Sequence, residues 1–397
     1  MSELDAFRED TRQWLEANCP ESMRTVGRRE DMVAPGRNQK FPSDDARIWF
    51  ERMRDKGWTC PEFPSEYGGG GLDAAKAKVL RQEMQRLKCR APLSDLGISM
   101  LGPALLEFGS EAQKAEHIPR IVRGEIRWCQ GYSEPGAGSD LASVQCRAED
   151  KGDHYLVNGT KIWTSFATES DWIFCLVRTD PDAPKRDGIS FLLIDMETPG
   201  ISIAPIQLIS GDSEFCQVFF EDVKVPKKNM VYEANKGWTV AKGLLKHERK
   251  MISELSQDFI GGTLTLRQAA DEYLGYDKNG KLKEPGLRAA ITRHEMNMRA
   301  IELTAYRAHL EGLAGEPDSR IPLIMKYVST TEFQVKDELM TELLGYRGLG
   351  WDDAYFSEEE LKSSRSLLFN KSLTIAGGTN EVQLNIIAKR ALDLPES

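Results

Sequence analysis

At 397 residues the chain is long for a single hydrophobic core, so two or three domains are expected. A formal net charge of -10 excludes a nucleic-acid footprint, which needs a basic face to displace counterions. The seven cysteines are scattered and never form a C-x-x-C pair, so neither a disulfide framework nor a zinc site is indicated. With no basic leader before an apolar run and no membrane-length apolar stretch, an uncleaved, soluble, cytoplasmic protein that does not engage membranes is expected.

Residues 1–125 read mainly as helix. Leu4, Phe7, Thr11, Trp14 and Leu15 recur at helical spacing, and Asp44 to Lys56 repeats the pattern through Ile48, Phe50 and Met53. Pro61 to Gly71 is a loop by composition. Helical segments near Ala74 to Leu87 and Ala112 to Val122 flank the apolar piece LGISMLGPALLEFG, which reads either as core or as the wall of a ligand pocket. Between 126 and 235 the period shifts from 3.6 to 2. His154 to Val157 and Thr160 to Thr164 flank Asn158-Gly159, the signature of a hairpin. Further β-rich runs at Trp172 to Thr179, Ile189 to Met196, Ile201 to Ile206 and Gln217 to Val225 imply a small barrel or sandwich. From 236 to 397 the helical period returns, near 238–273, 285–313, 319–345 and 358–370, with a last helix after Thr379. Long helices with short links predict a bundle, and the fold class is α+β, ordered α, then β, then α.

Three stretches carry chemistry. In Gly131 to Ser143, Gly136 and Gly138 bracket Ala137 after the fixed turn of Pro135, so backbone amides can approach a ligand with no Cβ in the way. Ser133 and Ser139 add hydroxyls. Trp163-Thr164-Ser165, on an expected strand downstream, supplies an indole face, so the pair suits a flat ring with polar edges; the other reading is a Gly-Pro surface turn. The second stretch is LLKHERKMIS. On a helix Glu248 has Leu244, Leu245, Met251 and Ile252 as its i±3 and i±4 neighbours, with no lysine or arginine among them. Desolvation there raises a carboxyl pKa towards neutrality, as a general base requires; the alternative is a carboxylate ion-paired to another helix or subunit. Arg249 is the adjacent candidate for an anion or carbonyl contact. Third, Gly377 and Gly378 precede Thr379 and a new apolar helix. Its unpaired first amides either donate to a carbonyl oxygen that becomes negative or form a simple cap. The five histidines show no metal-ligand spacing.

GYSEPGAGSD, NGTKIWTS, EDVKVPKKNMV and IAGGTNEVQLNIIAKR, in this order and spacing, resemble the acyl-CoA dehydrogenase family over essentially the whole chain. The resemblance implies an N-terminal helical domain (1–125), a flavin-binding β domain (126–235) and a C-terminal four-helix bundle (236–397), with FAD at their junction and a tetrameric assembly. By position, Tyr132, Ser133, Gly138, Ser139, Trp163, Thr164 and Ser165 would hold the flavin, and Thr379, Asn380 and Glu381 would touch it from the last helix. Ser139, Arg249, Gly377 and Gly378 would face the acyl-CoA. Many members carry the catalytic glutamate just before the final GT, where this chain has Gly377. A smaller group, resembling isovaleryl-CoA dehydrogenase, carries it before an arginine on a bundle helix, as Glu248-Arg249 does. The implied reaction is α,β-dehydrogenation of an acyl-CoA to the trans-2-enoyl-CoA, with Glu248 as base and electron-transfer flavoprotein as acceptor; an oxidase is the variant to separate from it.

Two departures stand out. Where the family commonly has R-x-x-F-G, with a glutamine following, this chain reads Tyr276-Asp-Lys-Asn279-Gly280, and its Q-x-x-G-G loop becomes Glu342-Leu-Leu-Gly345-Tyr346. Both changes weaken a cradle for a neighbour's FAD. The chain also resembles the large-subunit pimeloyl-CoA dehydrogenase subfamily. A heterotetramer with a second, non-identical subunit is therefore expected, the alternative function being a non-catalytic or half-site subunit of such an assembly.

Overall fold

The computed structural model describes residues 2–25, 31–245, 264–315, 318, 320–352 and 354–395. The chain divides into two compact units, Met1–Ile206 with Glu214–Met251, and Gln207–Ser213 with Ile252–Ser397.

The first unit opens with helices α1 (Glu3–Asn18), α2 (Asp44–Asp55), α3 (Ala74–Arg86), α4 (Gly102–Phe108) and α5 (Glu111–Val122). Ser2, Ser43, Asp73 and Ser110 cap four of them, each side chain accepting from an otherwise unpaired first-turn amide. The apolar piece before α4 forms a π-helical turn, Gly97–Leu101, and Met100, Leu101, Ala104 and Leu105 are buried in the core. One eight-stranded sheet follows: β1 (Trp128–Gly131), β2 (Arg147–Asp150), β3 (His154–Ser165), β4 (Trp172–Arg178), β5 (Ile189–Asp195), β6 (Ile201–Ile206), β7 (Phe215–Pro226) and β8 (Met230–Val231). The order is β6-β7-β3-β2-β4-β5-β8, and β1 pairs in parallel with β4.

The sheet folds over itself, and β4 is buried on both faces. Ile173, Cys175 and Val177 share a core with Val157, Val218 and Val223, whereas Trp172, Phe174 and Leu176 pack with Leu105, Ile118 and Ile121 of α4 and α5. Strand parity thus joins helical layer and sheet. A helix, α6, described over 237–245, buries Val240, Ala241 and Leu244 in that second core.

The expected hairpin at Asn158-Gly159 is not one. His154–Ser165 is a continuous strand, and the dipeptide sits at a bulge where Val157 opposes Val223 but Gly159 opposes Phe220. Asn158 Nδ2 donates to Asp222 Oδ1 at 3.0 Å, and the Asp222 amide returns a bond to Asn158 Oδ1 at 2.8 Å. Gly159 has φ 149°, and a Cβ there would lie 2.7 Å from Cys146 Cα. The glycine serves close approach of two strands, not a reversal.

The second unit contains α7 (Leu266–Ala269), α8 (Pro285–Ala314), α9 (Ile321–Leu344), α10 (Glu358–Asn370) and α11 (Asn380–Arg390). The helix expected over 238–273 is interrupted: Thr265 caps a fresh start, its hydroxyl accepting from Gln268 N. Helix α9 is the centre, with α7, α8, α10 and α11 packed on it. Leu266, Ile291, Leu339, Met340 and Leu343 form its core. No described helix is long and apolar enough to cross a membrane.

Candidate functional site

Glu134 and Ala137 exchange main-chain bonds of 3.0 Å each way, which closes a tight turn around Pro135-Gly136. Gly136, Gly138 and Ser139 are exposed, and a Cβ added at either glycine would meet nothing within 4 Å. Packing within the protein therefore does not require these glycines. They leave bare, outward-facing backbone. The loop's two ends are fixed. Ser133 O accepts from the Ile162 amide at 2.9 Å, and the fully buried Lys161 ammonium donates to Tyr132 O at 3.1 Å and Glu134 Oε1 at 2.7 Å. Beyond the turn, buried Arg178 donates to the carbonyls of Ala142, Val144 and Lys185. Burial holds its guanidinium below its usual pKa.

The second stretch adjoins the first. Past Lys161 strand β3 bulges again, and Trp163 adopts φ 60°, a left-handed conformation rare for a bulky residue. Its indole is 54% exposed, with one edge against Phe215 at 6.3 Å between ring centroids. The structure thus brings Tyr132, Ser133, Gly138, Ser139, Trp163, Thr164 and Ser165 into one connected segment pair. They do not contribute alike. The Tyr132 ring packs edge-on against Phe174 and Phe191, and Thr164 is fully buried with an unpartnered hydroxyl, so both belong to the core through their side chains. Trp163 and Ser139 present theirs outward.

The third stretch lies in the other compact unit. Gly377 and Gly378 have φ 64° and 94°, and Thr379 is the N-cap of α11, its hydroxyl accepting from Val382 N at 3.2 Å. Asn380 is engaged with α9: its Oδ1 accepts from Thr330 Oγ1 at 3.4 Å and Lys326 Nζ at 3.3 Å, and its Nδ2 donates to Thr331 Oγ1 at 3.4 Å. Glu381 is exposed, with its own amide and the Thr379 hydroxyl holding its carboxyl below the usual range. Glu248 and Arg249 lie outside the described residues; Leu244, four positions earlier, is buried. Among the described residues no cluster of His, Cys, Asp or Glu is placed to hold a metal.

Sequence reasoning missed Lys161, Glu134 and Arg178. One signal was available: Tyr155, Val157 and Lys161 share inward parity on β3, so a lysine stands where an apolar residue is expected.

Family models for the N-terminal, middle and C-terminal domains of acyl-CoA dehydrogenase match residues 1–125, 129–223 and 235–392. Acyl-CoA dehydrogenase IpdE1 of Mycobacterium tuberculosis is 35% identical over all of this chain and 99% of its own. The chain belongs to the acyl-CoA dehydrogenase family. Acyl-CoA dehydrogenase FadE29 of the same organism is 31% identical over 88% of both chains. Among solved structures, the Tcur3481-Tcur3483 steroid ACAD has TM-score 0.76 at 28% identity, covering 99% of this chain and 98% of that one. The ChsE4-ChsE5 complex from Mycobacterium tuberculosis has TM-score 0.75 at 28% identity, covering 100% and 99%. As a family member the chain is an FAD-dependent oxidoreductase. The exposed glycine backbone beside an outward-turned indole fits a flat, polar-edged ring: amides can meet its edge and the indole its face.

Proposed function

We propose that the chain dehydrogenates a bulky acyl-CoA thioester to its trans-2-enoyl-CoA, with Glu248 as base. The observation that carries this reading is the clamped glycine loop set beside the outward-turned Trp163. Tyr132 and Ser133 offer main chain to the flavin, Gly138 and Ser139 amides and a hydroxyl, and Trp163 to Ser165 an aromatic and polar edge. Thr379, Asn380 and Glu381 would add further contacts to the cofactor. When bound, FAD supplies the hydride acceptor at N5.

Glu248 takes the α-proton, and its apolar neighbours Leu244, Leu245, Met251 and Ile252 in helical spacing keep the carboxyl basic enough to do so. The Gly377 amide, with Gly378 beside it, donates to the thioester carbonyl as negative charge grows there. Arg249 and Ser139 hold the CoA arm. A steroid-like acyl group is the substrate class, because the steroid ACAD is among the similar structures. Electrons pass to electron-transfer flavoprotein.

Anaerobic mixing of the FAD-loaded protein with a panel of acyl-CoAs tests the reaction. Steroid-side-chain CoA should bleach the flavin fastest, and no bleaching by any thioester would remove it. Reoxidation by air as fast as by electron-transfer flavoprotein would make the protein an oxidase instead.

A second chain completes the assembly. Support comes from Tyr276 to Gly280, where the Asp277 carboxylate is consumed by the Asn279 and Lys281 amides at 2.8 and 2.9 Å, and from Glu342, which is an exposed carboxylate. The first segment lacks the family's arginine and glutamine, and the second sets a carboxylate, which repels a pyrophosphate, where the family's glutamine would donate to it. Native mass spectrometry of the co-expressed neighbouring subunit should give a heterotetramer; a homotetramer with four FAD would overturn this.

A further inference from the structure

Two buried charges of opposite sign meet beneath the glycine loop: Lys161, fully buried, and Glu134, 8% exposed. The Glu134 carboxylate receives three donors: Lys161 Nζ at 2.7 Å, the Gln145 amide at 2.6 Å and the Cys146 amide at 2.9 Å. Lys161 also donates to Tyr132 O at 3.1 Å. One ion pair thereby joins the loop's entrance, its exit and strand β3. Its geometry does something an apolar core could not. Well-packed hydrophobic residues of the same volume often fill such a space at equal or better stability, because two desolvated charges recover little from each other. They could not orient the amides of residues 145 and 146 or the carbonyl of residue 132. Between Glu134 and Gln145 the residues Pro135, Gly136, Gly138, Ser139 and Asp140 are exposed, and Trp163 follows two residues after the lysine.

We propose that Glu134 and Lys161 are positioning residues that set the flavin-facing loop and the Trp163 bulge in their binding shape before the cofactor arrives. The inference rests on the reading that residues 132–139 and 163–165 face the flavin. Its physical content is preorganisation: a loop already held open needs no ordering when FAD binds, so that entropy is not subtracted from the affinity.

Hydrogen exchange on the full-length protein, FAD-loaded and FAD-stripped, separates the inference from the reading beneath it. The Gln145, Cys146 and Ile162 amides should be equally protected in both forms; rapid exchange in the stripped protein would overturn the inference. FAD should slow exchange at Gly136 to Ser139 and Trp163 to Ser165, and its failure to do so would instead overturn the placement of the flavin. The double variant Glu134→Gln/Lys161→Met removes both charges together and leaves no uncompensated ion. Once folded, it should keep the stripped protein's melting temperature, bind FAD about tenfold more weakly and alter the visible circular dichroism of the bound flavin. Wild-type FAD affinity and dichroism in that folded variant would sink the proposal, and if it does not fold, the exchange measurement decides.

Discussion

The glycine loop at 131–143 and the glycine pair at 377–378 look alike in sequence, yet they are held by opposite means. The first hangs from a desolvated carboxylate, a desolvated ammonium and the buried Arg178 guanidinium, which together fix main-chain groups on both sides of the turn. The second is exposed at Gly377 and stops at a helix cap, with one hydroxyl-to-amide bond at Thr379 and polar contacts from Asn380 to α9. Buried charge tolerates few alternative geometries, because each displaced atom strands an ion away from water. A solvated cap tolerates many. One stretch is thus built as a template, and the other can adjust to what it meets.

The largest effect expected lies outside both stretches. Glu248→Gln should slow flavin bleaching by saturating acyl-CoA about a thousandfold, the scale of a lost general base, while FAD content stays constant. A fall of less than about tenfold would take Glu248 out of the proton transfer. Next is Lys161→Met alone. It leaves Glu134 buried without its cation and should cost about 3 kcal/mol of unfolding free energy, read from urea midpoints. A loss under about 1 kcal/mol would mean that water reaches the carboxylate and that the loop is no template.

A pH experiment sharpens the same contrast. Burial pushes the Asp95 carboxyl up to about 7, against the Gly97 amide that bonds it at 2.7 Å. The folded state therefore holds a proton that the unfolded chain releases near the ordinary value of 3.8. Between those values the native state binds more protons, so Asp95 makes the fold less stable as pH rises from about 4 to about 7, and flat above. Asp95→Asn, compared with wild type across that window, should gain on it by on the order of 4 kcal/mol as pH climbs. A constant difference would show the carboxyl ionised throughout.

How much of this could be read from the sequence depends on the range of the interaction. The α, β, α order was legible, since periodicity is local and the two cores impose it on every element. Asn158-Gly159 was misread for the same reason: local turn chemistry says hairpin, whereas the bulge is decided by Cys146 and Asp222, residues distant in the chain. The break at Thr265 was hidden because the apolar period continues across it, although Thr265 and Gln268 form a capping box. At the candidate site, the exposed glycines and Trp163 could be picked out as a loop and an aromatic. Their fastening could not, because Glu134 and Lys161 are 27 positions apart and only strand parity hints that the lysine points inward.

The smallest effect discriminates most finely. Thr379→Ala removes the hydroxyl that accepts from Val382 N, and loss of an N-cap of this kind costs about 1 kcal/mol. If Thr379 only caps α11, the FAD-stripped and FAD-loaded proteins should lose that amount equally, because linkage adds a constant binding term to both. If it also touches the cofactor, as proposed, the loaded protein should lose more, and the excess should equal the fall in FAD binding free energy measured by titration. Thr379→Ser keeps the cap and the hydroxyl and should restore both quantities. Equal losses with and without FAD would confine Thr379 to the helix end and leave the cofactor to the template formed by the first loop.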